Sequence, residues 1–272
     1  MRTFETILVD NEDGVTTITI NRPEQRNAMS PQLHFDMRDA LSELRNDPDT
    51  RVLVLTGKGT AFCAGQDLKQ FFYKGWQDAN LQAAAGDASY QWRDKLLRFF
   101  PKPSIAMVNG HCYGGAMGVV ASCDIVIAAE EATFGFPEVN WGVIPGSTLC
   151  RSIPEILGFR DTMWLFLSGE RFDGKRAVEL KWATFCVPLA QLRAKTLEVA
   201  AVLKEKEPTV LRLTKQALHH AVQMSFEETN ALASAYTSEL RAGAKKGIEQ
   251  FMAHEYRPAE SAYRWQEGDP KP

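Results

Sequence analysis

Two stretches of this chain run through the same order of local structure: an apolar strand, a glycine turn, then a helix. In residues 52–72, Val52-Leu53-Val54-Leu55 is followed by Ala64-Gly65 and a short helical pattern from Asp67. In residues 104–122, Ser104-Ile105-Ala106-Met107-Val108 is followed by Gly114-Gly115 and another short helix. A further apolar strand is predicted over residues 124–129. Strands that are apolar throughout need cover on both faces, and repeated strand–helix units connect right-handedly into a parallel sheet. The repetition therefore predicts an α/β fold with parallel strands.

The flanking segments fit around that core. Residues 5–9 and 15–20 are β-rich and bracket Asp13-Gly14, a two-residue hairpin signal. Ser30-Pro31 starts a helix, with serine as N-cap and proline in the first turn. Leu33, Met37, Leu41 and Leu44 line one face of it before Asp47-Pro48 ends it. A helix is predicted over residues 89–100, stopped by Pro101 and Pro103. Residues 74–88 are the least patterned internal stretch and are expected to form a mobile substrate flap. Beyond Pro188, residues 192–206, 208–224, 226–240 and 245–254 read as helices without an intervening strand, which favours docking onto another subunit. The expected organisation is a core over 1–190, a helical oligomerisation region over 191–256 and a loose tail over 257–272.

Composition excludes several classes. With 44% hydrophobic and 24% charged residues among 272 and a net charge of −3, the chain can build one sizeable core and has no cationic excess for nucleic acid. Two short basic patches, Lys245-Lys246 and Arg212 with Lys215, read as solvated helix faces. Patches of that kind also suit the phosphates of a nucleotide-bearing ligand. The N-terminus lacks an apolar stretch with a cleavage site, and the most apolar run, residues 104–129, is interrupted by Asn109, His111 and Asp124. Neither a leader nor a membrane span is expected, and the location reads as cytoplasmic. Five cysteines (Cys63, Cys112, Cys123, Cys150, Cys186) have no metal-ligand spacing and read as reduced, mostly buried thiols. No metal is expected.

The two glycine turns are where chemistry can be placed. Backbone N–H groups at a helix start are unpaired and favour negative charge, so two such loops could converge into an oxyanion hole that needs no side chain. A single glycine turn before a helix is ordinary structure; two equivalent ones after apolar strands are more telling. Shortly downstream, Phe134, Phe136 and Trp141 flank Glu138. Apolar surroundings raise a carboxyl pKa and suit proton transfer near neutrality. On the residues alone, Glu138 as a solvated or ion-paired acid is the plainer reading. His111 is a rival base, but a lone histidine in a glycine-rich apolar turn reads as packed and hydrogen-bonded. Cys112 has no histidine at a telling position and is not expected to be a nucleophile.

Four motifs add a resemblance. Asn21-Arg22-Pro23-Glu24-Gln25-Arg26-Asn27-Ala28, Ala64-Gly65-Gln66-Asp67-Leu68, Ala106-Met107-Val108-Asn109-Gly110 through Gly114-Gly115, and Ala132-Thr133-Phe134-Gly135 with Pro137-Glu138 follow one another as in the crotonase (enoyl-CoA hydratase/isomerase) superfamily. The likeness covers residues 4–257. Asn27-Ala28-Met29-Ser30-Pro31, Gln91-Trp92 with Lys95-Leu96-Leu97-Arg98, and Glu138-Val139-Asn140-Trp141-Gly142 most resemble its hydroxycinnamoyl-CoA (feruloyl-CoA) hydratase-lyases. The resemblance implies a crotonase-like spiral of repeated ββα units with a C-terminal helical trimerisation region, in a homotrimer or dimer of trimers. It implies an acyl-CoA thioester substrate, with coenzyme A as part of that substrate and no separate cofactor. The oxyanion-hole N–H groups fall on Gln66 and Gly115, and the second catalytic glutamate of the hydratases falls on Glu138. Contacts to coenzyme A and the acyl group fall around Gln25, Ala64, Leu68, Trp141 and Gly146.

The chain also departs from that pattern. The first catalytic glutamate of typical hydratases falls on Gly118, where the hydratase-lyases have serine. A tyrosine that binds the phenol in the lyases falls on Phe71. Another falls near Ser234, with Tyr236 close by. One carboxylate and an oxyanion hole support three chemistries. They are hydration with carbon–carbon cleavage of an aryl-propenoyl-CoA, double-bond isomerisation, and simple hydration. Phe71, Phe72, Tyr73, Tyr113 and Trp141 favour an aryl substrate, with core packing the alternative for each. A catalytically weak acyl-CoA-binding scaffold, suggested by Gly118 and Phe71, is disfavoured by Glu138 and the intact glycine loops.

Overall fold

The computed structural model describes residues 3–252. It opens with strand β1 (Ile7–Glu12) paired antiparallel with β2 (Val15–Ile20), from Ile7 opposite Ile20 to Glu12 opposite Val15. Asp13 and Gly14 both take positive φ (49° and 79°), the turn whose twist matches a hairpin. That two-residue turn needs pairing up to its edge, so β1 begins two residues and ends three residues later than the expected 5–9. Helix α1 (Pro31–Leu44) begins where serine capping requires: Ser30 Oγ accepts from the Leu33 N–H at 3.2 Å, an interaction worth about 1 kcal/mol. Leu33, Met37, Ala40, Leu41 and Leu44 of α1 are buried.

The remaining strands divide between two sheets. The larger has β3 (Val52–Gly57), β5 (Ser104–Val108), β7 (Ile125–Ala129) and β10 (Phe185–Val187) added to the hairpin in the order β1-β2-β3-β5-β7-β10. The smaller has β4 (Ala61–Cys63), β6 (His111–Tyr113), β8 (Thr133–Gly135) and β9 (Arg171–Asp173), in that order. From β2 onward the large sheet is parallel, as are β4, β6 and β8. Each repeat therefore sends one long apolar strand to the large sheet, then a three-residue strand to the small one, then a helix. The third repeat is β7, β8 and the helical turn Pro137–Trp141.

Helices α2 (Ala79–Tyr90), α3 (Gly115–Val120), α4 (Leu149–Leu157), α5 (Phe159–Ser168) and α6 (Gly174–Glu179) lie in the connections between these strands. Residues 74–88 are not an unpatterned flap. After the turn Gly75–Gln77, Asp78 accepts from the Leu81 N–H at 3.0 Å and starts α2, ten residues before the predicted 89. The run is rich in alanine, so its helical propensity is high while its apolar stripe is thin. Only Ala85, Ala88 and Ser89 of α2 are buried, and α2 packs on α1. It leads directly into a π-helical segment, Gln91–Leu97, which carries Trp92 and Arg93 inward.

The C-terminal part is helical, as expected: α7 (Leu189–Lys204), α8 (Pro208–Ala221) and α9 (Phe226–Met252). α9 is one helix rather than the expected two, because Gly243 sits between alanines and a lone glycine costs a helix only about 1 kcal/mol. It packs against α8. Lys215 is not a solvated cation; its ammonium meets Asp124 at 2.7 Å. The expected tail, 257–272, lies outside the described residues. No described helix is long and apolar enough to cross a membrane.

Candidate active site

The two glycine loops leave neighbouring strands of the small sheet and meet. Beyond β4, Gly65 takes φ +95°, its carbonyl accepts from Met29 N–H (2.8 Å), and Asp67 N–H donates to the Met29 carbonyl (3.0 Å). Asp67 then caps the π-helical segment Leu68–Tyr73, accepting from the N–H groups of Lys69 and Gln70, and pairs with Arg22 at 3.0 Å. Asn27 braces the same loop by donating to the carbonyls of Lys58 (3.0 Å) and Ala61 (2.7 Å). Beyond β6, Gly114 turns the chain and Gly115 opens α3. A Cβ placed on Gly65 would stand 2.8 Å from the Tyr113 carbonyl oxygen and 3.6 Å from the Gly115 nitrogen. Between residues so close, only a glycine fits. Among the described residues, neither Gln66 N–H nor Gly115 N–H meets a protein acceptor. Two unpaired donors on abutting loops, one at a helix start, can hold an anionic oxygen.

The Gln66 side chain is fixed from behind. Trp92 Nε1–H donates to His34 Nδ1 (3.0 Å), and His34 Nε2 lies 2.9 Å from Gln66 Oε1. Indole can only donate, so His34 Nδ1 is bare and Nε2–H donates to Gln66. His34 is fully buried, and burial, with the nearby Arg93 charge, lowers its pKa from 6.5 to about 3. Sequence reasoning passed over His34, although its place with Met37 and Leu41 on the apolar face of α1 was a signal. The folded state binds fewer protons than the unfolded one between these two values. The neutral ring's contribution is therefore complete above pH 6.5 and is lost as pH falls towards 3. We expect His34→Gln to remove about 1.4 kcal/mol per pH unit from the acid slope of unfolding free energy. Denaturant titrations from pH 7 to 4 check this, and identical slopes in both proteins would count against it.

Glu138 sits on the other side of the junction. Its Oε1 lies 2.9 Å from the point a Cβ on Gly114 would occupy. Oε2 is buried without a partner among the described residues. Burial raises the Glu138 pKa above 4.5, as expected, but the neighbours differ from those predicted. Phe134 stacks on Phe172 and Phe136 packs on Phe166, both in the core, while Trp141 is 67% exposed. The partial desolvation of Glu138 thus comes from its half-buried seat beside Gly114.

The other expected residues spread outward from this centre. Gly118 is buried one turn along α3, and a Cβ there would stand 3.2 Å from Leu149 Cδ2 and 3.7 Å from Arg93 Nη1. The Phe71 ring meets His34 edge-on at 5.4 Å. Ala64 donates its N–H to the Arg26 carbonyl, beside exposed Gln25. Leu68 and Trp141 are exposed, and Gly146 faces open space. Tyr113 brings its backbone to Gly65, but its ring stacks on His111 and its hydroxyl meets Thr133 (2.7 Å). His111 also bonds Thr133 (2.7 Å), so it is packed as expected. Cys112 is buried with its thiol pKa pushed up, which keeps it protonated.

The whole of this arrangement has relatives. The family model for enoyl-CoA hydratase/isomerase matches residues 10–260, and the chain belongs to that family, an enzyme family of the lyase class. A hydroxycinnamoyl-CoA hydratase-lyase of Pseudomonas fluorescens is 40% identical over 270 residues, covering 96% of this chain and 97% of its own. A mevalonyl-coenzyme A hydratase of Aspergillus fumigatus is 32% identical, covering 88% of each chain. Among solved structures, an enoyl-CoA hydratase subunit of Geobacillus kaustophilus superposes with TM-score 0.85 at 30% identity, over 97% of this chain and 98% of its own. The crotonase fold expected from the motifs is the fold of the chain.

Proposed function

We propose that the protein adds water to an aryl-propenoyl-CoA of the feruloyl or 4-coumaroyl type and cleaves the adduct to an aromatic aldehyde and acetyl-CoA. The observation that carries this is the pairing of two unpartnered N–H groups, on Gln66 and Gly115, with one half-buried carboxylate across Gly114. The thioester oxygen accepts from both N–H groups, which stabilise it as it becomes an enolate. Glu138, as carboxylate, takes a proton from water as the oxygen adds to Cβ and returns it to Cα. In cleavage it takes the β-hydroxyl proton, the carbon–carbon bond electrons pass to the enolate, the aldehyde leaves, and Glu138 protonates Cα of acetyl-CoA. Every proton removed is one returned, so one carboxylate suffices.

The 40% identity to a hydroxycinnamoyl-CoA hydratase-lyase supports the aryl substrate. Phe71, Tyr113, Gly118 and Trp141 are assigned to the acyl pocket, and Gln25, Ala64, Leu68 and Gly146 to the coenzyme A path. The helices after residue 190 are assigned to a trimer or dimer of trimers, in a cytoplasmic enzyme. A second reading, a double-bond isomerase moving one proton from Cα to Cγ, is favoured by the single carboxylate. Incubation with feruloyl-CoA, crotonyl-CoA and a 3-enoyl-CoA separates the two. Hydration of feruloyl-CoA with aldehyde release is expected, and reaction of the 3-enoyl thioester alone would replace the lyase with the isomerase.

A further inference from the structure

Arg93 is the charge that the proposed chemistry leaves unused. It lies on the π-helical segment Gln91–Leu97 with 5% of its surface exposed. A guanidinium stays protonated in proteins, and a buried one is costly unless its N–H groups and its charge are met. Here Nη1 donates to the Gly115 carbonyl at 3.1 Å, and Nε reaches the Ser89 carbonyl at 3.4 Å. Both acceptors are neutral. Among the described residues, no carboxylate oxygen lies within ion-pair distance of Arg93. The adjacent Asp94 is occupied by the hydroxyls of Ser147 and Thr148. Burial accordingly works against the Arg93 charge, with the fields of Asp94 and, less, Cys63 opposing that effect.

Its position is as informative as its charge. Nη1 would stand 3.5 Å from a Cβ on Gly115 and 3.7 Å from one on Gly118. Those positions are three residues apart and share one face of α3, next to Gln66 Cγ. The cation thus borders the helix start that offers the Gly115 N–H, while Glu138 borders it at Gly114. Gly118 puts no side chain between the guanidinium and this face. In a thioester held by its oxygen at Gln66 and Gly115, the β-carbon is two atoms beyond the carbonyl carbon, within reach of a face bordered by Glu138 at Gly114 and by Arg93 at Gly115 and Gly118.

We propose that Arg93 holds the oxygen at the substrate's β-carbon, donating to the water that adds there and then to the β-hydroxyl it becomes. This rests on the hydratase-lyase reading above and extends it. Arg93 gives up no proton, so Glu138 remains the proton carrier throughout. As the β-hydroxyl loses its proton to Glu138, the guanidinium stabilises the negative charge that gathers on the oxygen before the carbon–carbon bond breaks.

The test compares two thioesters that differ only at that oxygen, 3-hydroxy-3-phenylpropanoyl-CoA and 3-phenylpropanoyl-CoA. Calorimetric titrations are made in the Glu138→Gln background, in which turnover is slowed. With Arg93 present, the hydroxylated thioester should bind roughly ten- to a hundredfold more tightly. Adding Arg93→Gln should abolish that preference, whatever it does to the affinity common to both thioesters, with Arg93→Lys retaining part of it. Equal weakening of both thioesters marks a structural residue and overturns the proposal, as does a preference that survives Arg93→Gln. If Arg93→Gln does not fold, equal affinities in the protein that retains Arg93 overturn it alone. Failure of the lyase reading is read separately, as absent turnover of feruloyl-CoA by the unmodified enzyme.

Discussion

Replacing Glu138 with glutamine is expected to slow turnover of an enoyl-CoA thioester by roughly 10²–10⁴-fold while leaving thioester affinity nearly intact. Glutamine fills the same half-buried seat beside Gly114, so the loops keep their positions and only the proton carrier is lost. The pH profile sharpens the expectation. Burial raises the Glu138 pKa above its ordinary 4.5, and the reaction begins from the carboxylate. Activity should therefore fall as pH drops through that raised value, at a higher pH than an exposed glutamate would give. Stability has the opposite sign: the folded protein binds this proton more readily, so the group favours folding more as pH falls through the same window. Steady-state rates with binding measured in parallel check the first, and denaturant unfolding over the same range, pH 4 to 8, checks the second. Undiminished turnover by Glu138→Gln would remove Glu138 from the mechanism.

Gly65→Ala should be nearly as damaging, by a different route. The added methyl meets the Tyr113 carbonyl at 2.8 Å, and φ of +95° strains any side chain. The carbonyl belongs to backbone just before Gly114 and Gly115, so it cannot swing aside as a side-chain end would. The two loops must part, and their N–H groups no longer converge. Loss of one donor from such a hole costs roughly 10²–10³ in kcat, and left-handed strain adds about 1–2 kcal/mol of destabilisation. Gly86→Ala provides the control: it lies in α2 with nothing within 4 Å of the new methyl and should be neutral or slightly stabilising. Measuring kcat and Tm for both variants decides the matter. A Gly65→Ala enzyme with full kcat would show that the hole is not formed where these loops meet.

Much of this was legible in the residues. Periodicity gave α1, the hairpin and the long strands because each is apolar along a full repeat of its own geometry. The strands β4, β6 and β8 were invisible, since three residues cannot display an alternation. Helix α2 was missed because alanine signals propensity without a stripe. In the site, the glycine turns were readable as chemistry, since unpaired N–H groups follow from helix starts, whereas Glu138 read more plainly as a solvated acid and took its role from the resemblance. His34 and Arg93 were not readable. Their importance comes from what burial denies them, namely a proton in one case and a counterion in the other, and contacts across 58 residues (Trp92 to His34) or 22 (Arg93 to Gly115) leave no local pattern.

The small sheet also acts as a ruler. Its adjacent parallel strands β4, β6 and β8 deliver Gln66, Gly115 and Glu138 in turn, one from each repeat. The starting points of the three loops are therefore spaced by the pitch of hydrogen-bonded strands, about 4.8 Å. A frame of this kind fixes where each loop begins, and the contact at Gly65 fixes where the first two loops meet. It also means that no single repeat can be loosened and leave a working fragment, because each holds one jaw of the same clamp.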